Sequence, residues 1–197
     1  MNLKNLSPRK AKARIKEWPV TFGSNGLKLT GKVLLPDDAR ADSPVPGAVL
    51  CHGFGGSHRF MKSSAKILAE QGIATLVFDF RGHGASEGAI DGRQADDAVD
   101  AWNALKQFPE VDKSRMGIIG HSLGAMSAIL AAGKVDSPRA LVALSCPPII
   151  DDGLRPMGTT GQSHFRVSQA WRFALDDRDK CVYSQNIHVC HTAFCTR

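Results

Sequence analysis

The chain has 197 residues, 43% hydrophobic and 22% charged, the make-up of an ordinary globular protein with chain enough for one sizeable core. Its formal net charge of +6 resides in residues 1–16: Lys4, Arg9, Lys10, Lys12, Arg14 and Lys16 precede the first acid, Glu17, and the remainder balances 19 basic against 19 acidic side chains. A neutral body with a short basic arm argues against a nucleic-acid-binding protein, no apolar run reaches the roughly 20 residues that span a bilayer, and no signal-like stretch stands at the N-terminus, so a soluble, cytoplasmic protein is expected.

From Trp18 the pattern turns regular. Val20 and Phe22 end one strand, Ser24-Asn25-Gly26 is a turn signal, and Leu27, Leu29, Gly31, Val33 and Leu35 alternate with other residues, as in an antiparallel hairpin at one sheet edge. Pro36 to Pro46 reads as a polar loop. Gly47–Cys51 is a short buried strand. Phe60–Gln71 is a helix with Met61, Ala65 and Leu68 on one face and Gly72 as its stop. Ala74–Phe80 is a continuous apolar run, the kind found in parallel sheets covered on both faces.

Gln94–Phe108 is an amphipathic helix whose apolar face carries Ala95, Ala98, Val99, Trp102 and Leu105, with Pro109 following. Met116–Gly120 is the next strand, Ser122–Ala132 a small-residue helix suited to burial, and Ala140–Ser145 a further strand. Strands alternating with helices predict an α/β fold: a mostly parallel sheet with helices on both faces.

Gly120-His121-Ser122-Leu123-Gly124 lies between a predicted strand and a predicted helix. This is the context in which G-x-S-x-G acquires a chemical meaning. A serine on a sharp strand-to-helix turn projects its hydroxyl above the sheet. The flanking glycines have no Cβ to collide with the neighbouring strand and helix. The helix that follows points backbone N–H groups at a developing oxyanion.

His52-Gly53-Phe54-Gly55-Gly56 follows the strand ending at Cys51. Its glycines let a backbone N–H approach a substrate oxygen, so the expected oxyanion donors are the Phe54 and Leu123 N–H groups. Losing one such donor typically costs about 3 kcal/mol of transition-state stabilisation. His52 reads as a residue that ends a strand and orders this loop rather than as a base. Asp79-Phe80-Arg81-Gly82-His83-Gly84-Ala85-Ser86-Glu87-Gly88 is a turn-rich loop in which Asp79 and His83 read as loop-shaping hydrogen-bonders. His121 is expected to pack beside the elbow.

Residues 18–148 resemble the α/β-hydrolase superfamily in carrying these three motifs in the family's order, with serine esterases, dienelactone-hydrolase-like proteins and serine-aminopeptidase-like lipases the nearest in character. The resemblance implies a serine nucleophile, an acid after the seventh strand, a histidine after the eighth, and no metal or organic cofactor. It implies hydrolysis of a carboxylic ester, thioester or small amide through an acyl-enzyme. A catalytically inactive hydrolase or binding module, and an acyltransferase on the same scaffold, are the alternatives.

The acid and histidine are not identifiable downstream. Only 51 residues follow Cys146, and the segment from Thr159 has no glutamate and one lysine but three cysteines and three histidines. A helix over 166–179 and a strand over 187–194 are conceivable there without matching the family's pattern. Asp176, Asp177 and Asp179 are the candidate acids, and His164, His188 and His191 the candidate bases. The expected organisation is a basic arm over 1–16, a hydrolase core over 17–150 and an atypical segment over 151–197, the product of a frameshift, truncation or divergent splice. The fold would then be incomplete at its C-terminal strands, and Ala140–Ser145 would become an apolar edge prone to self-association.

The five cysteines do not form a disulfide framework. Cys51 and Cys146, at strand ends, are expected to be buried thiols. Cys181, Cys190 and Cys195 lack a C-x-x-C pair, so no zinc site is expected.

Overall fold

The computed structural model describes residues 14–146. Six strands and three helices follow in the order β1 (Ile15–Ser24), β2 (Leu27–Pro36), β3 (Val45–Cys51), α1 (His58–Glu70), β4 (Ala74–Phe78), α2 (Gln94–Leu105), β5 (Val111–His121), α3 (Leu123–Ala132) and β6 (Ala140–Leu144). They build one sheet of order β1-β2-β4-β3-β5-β6. β3, β4, β5 and β6 run parallel, while β2 pairs antiparallel with β4 and with β1. The alternating pattern thus produces the expected α/β architecture, with the hairpin at one edge. Its turn places Asn25 at φ 49° and Gly26 at φ 81°, the pair of left-handed residues a tight two-residue hairpin needs.

The period of two along each strand sorts side chains onto two cores. Val49 and Cys51 of β3, Leu76 and Phe78 of β4, and Met116 and Ile118 of β5 meet Ala98, Trp102 and Leu105 of α2 and Ala128 of α3. On the other face Ala48, Leu50, Val77 and Leu34 meet Met61, Ala65 and Ala69 of α1. Burial on both faces explains why β3 and β4 read as unbroken apolar runs.

Element limits differ from the sequence expectation where polar residues join the ladder. β1 starts at Ile15, so Lys16 belongs to the sheet, where it ion-pairs with Asp37. β5 begins at Val111 rather than Met116. The register jumps from Val45↔Val111 to Gly47↔Met116, and residues 112–115 bulge between these pairs. β4 ends at Phe78 because the Phe80 N–H turns to the His52 ring. Cys51 is fully buried, and burial, with Asp97 adding to it, pushes its thiol well above the ordinary range. Cys146 is only partly buried, a correction to the expectation, because β6 ends at Leu144 and leaves it in the following loop.

Among the described residues β6 has one strand neighbour, β5, and Leu144 at its end is exposed. No helix among them is long and apolar enough to cross a membrane. The suggested helix over 166–179, the strand over 187–194 and the arm through residue 13 lie outside the described residues.

Candidate active site

The loops after the parallel strands gather at one end of the sheet. In the strand order, β4 and β5 lie on opposite sides of β3, so the chain leaves β3 in one direction and returns to its other side. Such a reversal opens a crevice beyond the strand ends. Cys51, the last residue of β3, pairs with Gly120 of β5, which puts the His52–Ser57 loop beside the turn that carries Ser122.

Ser122 sits between β5 and α3 at φ 53°, ψ −117°, a backbone conformation that costs a side-chain-bearing residue about 1–3 kcal/mol. Its N–H donates to the Leu144 carbonyl at 2.9 Å, and its own carbonyl accepts the Ala125 and Met126 N–H groups, so the turn is held from both sides. The flanking glycines are required by space. A Cβ on Gly120 would strike the Gly124 backbone, and one on Gly124 would strike the Cys51 and His52 carbonyl oxygens. Gly124→Ala is therefore expected to destabilise the protein by about 2–3 kcal/mol, because backbone on both sides must shift. A urea-unfolding midpoint unchanged from wild type would contradict the fit.

The two expected donors stand at this turn. Leu123 opens α3, where its N–H has no intrahelical acceptor. Phe54 is at the tip of the loop after β3, with its side chain 63% exposed. That loop is pressed against the elbow: a Cβ on Gly53 would lie 3.0 Å from His121 Nδ1 and 3.3 Å from Ser122 Cβ. Neither the Phe54 nor the Leu123 N–H has an acceptor among the described residues.

The histidines of the motifs hold loops. His52 is fully buried; its Nε2 accepts the Phe80 N–H at 3.1 Å, so Nδ1 carries the proton and donates to the Gly53 carbonyl at 2.7 Å. Burial lowers its pKa, more than the Gly53 bond raises it. His83 accepts the Gly55 N–H at 3.2 Å and donates to the Arg81 carbonyl at 3.0 Å. His121 rests its ring 5.3 Å from that of Phe60, and its Nδ1 is buried without a partner. None of the four described imidazoles bonds the Ser122 hydroxyl.

Asp79 is likewise a pin. Its carboxylate accepts the His58 N–H at 2.6 Å, His58 Nδ1 at 2.9 Å and the Ala85 N–H at 3.1 Å. Burial raises its pKa, but these bonds outweigh burial and hold it below the ordinary carboxylate value. The loop-shaping reading of Asp79 and His83 agrees with these contacts.

Three supporting residues escaped sequence reasoning. Arg81 is wholly buried and makes a two-pronged contact with the equally buried Asp97, while Ser24 bridges them and Asp91 takes the outer nitrogen. Burial disfavours the guanidinium charge, yet Asp97 and Asp91 more than restore it and raise its pKa. The signal for Asp97 was its place four residues before Ala101 and eight before Leu105, on the buried side of α2. His58 is the third: it opens α1 and ties that helix to Asp79.

Among the described residues no cluster of three His, Cys, Asp or Glu side chains is arranged to hold a metal ion. The candidate acids Asp176, Asp177 and Asp179 and the candidate bases His164, His188 and His191 lie outside the described residues.

Comparison with known proteins follows the same lines. The family model described as serine aminopeptidase, S33, matches residues 43–177, and so takes in part of the segment beyond Thr159 that composition sets apart. The chain is 32% identical over 131 residues to thiohydrolase aneE of Aspergillus aculeatus, covering 64% of this chain and 39% of that protein. It is 32% identical over 136 residues to the quorum-quenching protein AidA of Acinetobacter baumannii, covering 65% and 43%. The chain thus spans less than half the length of these curated relatives. Among solved structures, Est1E of Butyrivibrio proteoclasticus with bound ferulic acid superposes with a TM-score of 0.61 at 27% identity, over 73% of this chain and 60% of that one. A family match over more than half of the sequence, on a sheet of this order with a strained serine at its strand-to-helix turn, shows that the chain belongs to the S33 serine-aminopeptidase family of α/β hydrolases.

Proposed function

We propose that the protein is a serine hydrolase that cleaves carboxylic ester, thioester or small amide bonds through an acyl-enzyme formed on Ser122. The observation that carries this reading is the Ser122 backbone, held at φ 53°, ψ −117°. Strain of this kind is retained where the surrounding structure over-determines it, and here it falls on the strand-to-helix turn beside the β3/β5 crevice, which supports a nucleophile at this position.

In this reading the Ser122 hydroxyl oxygen attacks the carbonyl carbon while a base takes its proton. The negative charge that develops on the carbonyl oxygen is met by the N–H groups of Phe54 and Leu123. Collapse of the tetrahedral adduct expels the alcohol, thiol or amine, and water then releases the acid. His52 and His83 are unsuited to be the base because both nitrogens of each ring are committed within the loops. The base is assigned to a histidine outside residues 14–146, of which this chain has His164, His188 and His191. The exposed ring of Phe60 lies against His121 of the elbow, and that of Phe54 stands on the loop beside it; both favour an apolar acyl group. One of the relatives is named a thiohydrolase, in keeping with a hydrolytic reaction.

The test is fluorophosphonate labelling read by intact mass. One phosphonyl adduct on the wild-type chain, absent from Ser122→Ala, is the expected result. A folded wild-type chain that takes no adduct would instead mark the turn as inherited and idle, and the protein as a binding module.

A further inference from the structure

His83 joins the two loops that rim the elbow, and it does so in one protonation state. Its Nδ1 lies 3.0 Å from the Arg81 carbonyl oxygen and its Nε2 3.2 Å from the Gly55 nitrogen. A peptide N–H only donates and a carbonyl only accepts. The ring therefore carries its proton on Nδ1 and a lone pair on Nε2. A second proton would set an N–H of the ring against the N–H of Gly55. Turning the ring over would offer carbon atoms to both partners.

The loop it holds has few other anchors. The Gly53 carbonyl accepts from His52 Nδ1 and from the Gly56 N–H, and the His58 N–H goes to Asp79. Phe54 stands between Gly53 and Gly55, and on its C-terminal side the first external anchor is the Gly55–His83 bond. Gly55 itself adopts φ 68°, so its backbone is free to leave this conformation once the bond is lost.

We infer that His83 is a positioning residue for the Phe54 N–H: neutral, it clamps the 52–58 loop beside Ser122, and on protonation it releases the clamp. The catalytic consequence rests on the role proposed above for Phe54; the clamp itself does not. The charged and titratable groups around His83 are His52 from the loop after β3, with ring centroids 5.0 Å apart, and Asp79 and Arg81 from its own loop, behind which stand His58 of α1 on Asp79 and Asp97 of α2 on Arg81. Each has a partner of its own: His52 with Gly53 and Phe80, Arg81 with Asp97 and Asp91, and Asp79 with His58 and Ala85. Among the described residues only His83 spends a ring nitrogen on the loop segment just past Phe54.

The experiment uses the full chain labelled with nitrogen-15. The His83 ring nitrogens and the Gly55 amide are followed as the pH is lowered until the ring takes its second proton, beside the rate at which Ser122 takes a fluorophosphonate. The expected result is a Gly55 amide that shifts in step with His83 protonation while labelling slows. His83→Phe, which keeps a ring and removes the acceptor, is expected to slow labelling at least about tenfold, since displacements near 1 Å cost up to 100-fold. His83→Gln offers an amide oxygen to Gly55 and does not titrate; it is expected to restore much of the rate. A catalytic histidine elsewhere leaves its own acid limb in every variant, and the His83 contribution is the part that His83→Gln removes.

A Gly55 amide indifferent to His83 protonation overturns the inference, as does a ring found protonated on Nε2 while Gly55 stays bonded. If Ser122 takes no label in any variant, the hydrolase reading fails instead, and the Gly55 titration alone decides whether the clamp exists. If His83→Phe does not fold, the wild-type titration and His83→Gln carry the same decision.

Discussion

Ser122→Gly is expected to give a chain more stable than Ser122→Ala and equally unreactive. Alanine removes the hydroxyl but keeps a Cβ at φ 53°, ψ −117°, so the strain of about 1–3 kcal/mol stays in the folded state. Glycine relieves it and pays about 0.5–1 kcal/mol in chain entropy, leaving a net gain near 1 kcal/mol over alanine. Both variants lose the nucleophile, and hydrolysis of an activated ester is expected to fall by at least about 10³-fold. Urea unfolding of the three proteins, side by side with ester turnover, measures both quantities. If glycine proved less stable than alanine, the turn would not be strained, and the geometric case for Ser122 would lose its physical basis. The expected pattern is the trade of stability for function that marks a site held against local preference.

What the sequence made legible was set by repetition and by motif context. β3, β4 and α3 are apolar except for Thr75 and Ser127 and buried on their packed faces, so local pattern and tertiary burial agree. Gly120-His121-Ser122-Leu123-Gly124 was readable because a strand and a helix bracket it, and the steric need for both glycines is visible in the backbone that surrounds them. The limits of β1 and β5 were harder to read. Lys16 and the Asp112–Arg115 stretch are polar; Lys16 enters the ladder through its hairpin partner Leu35, and Val111 is brought opposite Val45 by pairing with a strand distant in sequence, neither of which local composition encodes. The polar frame under the loops was the least legible. His58 meets Asp79 across 21 positions, and Ser24 meets Asp97 across 73; neither pairing leaves a periodic trace.

That polar frame leads to the second large effect. Asp97→Ala is expected to destabilise the protein by about 3–5 kcal/mol, because it leaves the Arg81 guanidinium charged and buried without its main partner. Both side chains are 0% exposed, and Asp97 accepts from Arg81 Nε at 3.0 Å, Arg81 Nη2 at 2.6 Å, the Arg81 N–H at 3.0 Å and the Ser24 hydroxyl at 2.7 Å. Asp91 touches Arg81 from the rim at 3.2 Å and stays within reach of water, so it compensates only in part. Removing both charges is expected to behave differently: Arg81→Met with Asp97→Leu should recover part of the loss, since neither ion then has to be desolvated, while the buried Arg81 N–H and Ser24 hydroxyl still lack the acceptor that Asp97 gave them. Urea unfolding of the two single variants and the double variant closes the cycle, and a coupling below about 0.5 kcal/mol would mean that the pair contributes independently and the frame is not cooperative. The same variants separate stability from function. Arg81 presents its carbonyl to His83, which in turn holds Gly55, so the double variant should regain its fold before it regains the geometry of the Phe54 loop. A double variant that unfolds like wild type but labels slowly at Ser122 would locate the purpose of this buried pair in holding the loop rather than in holding the fold.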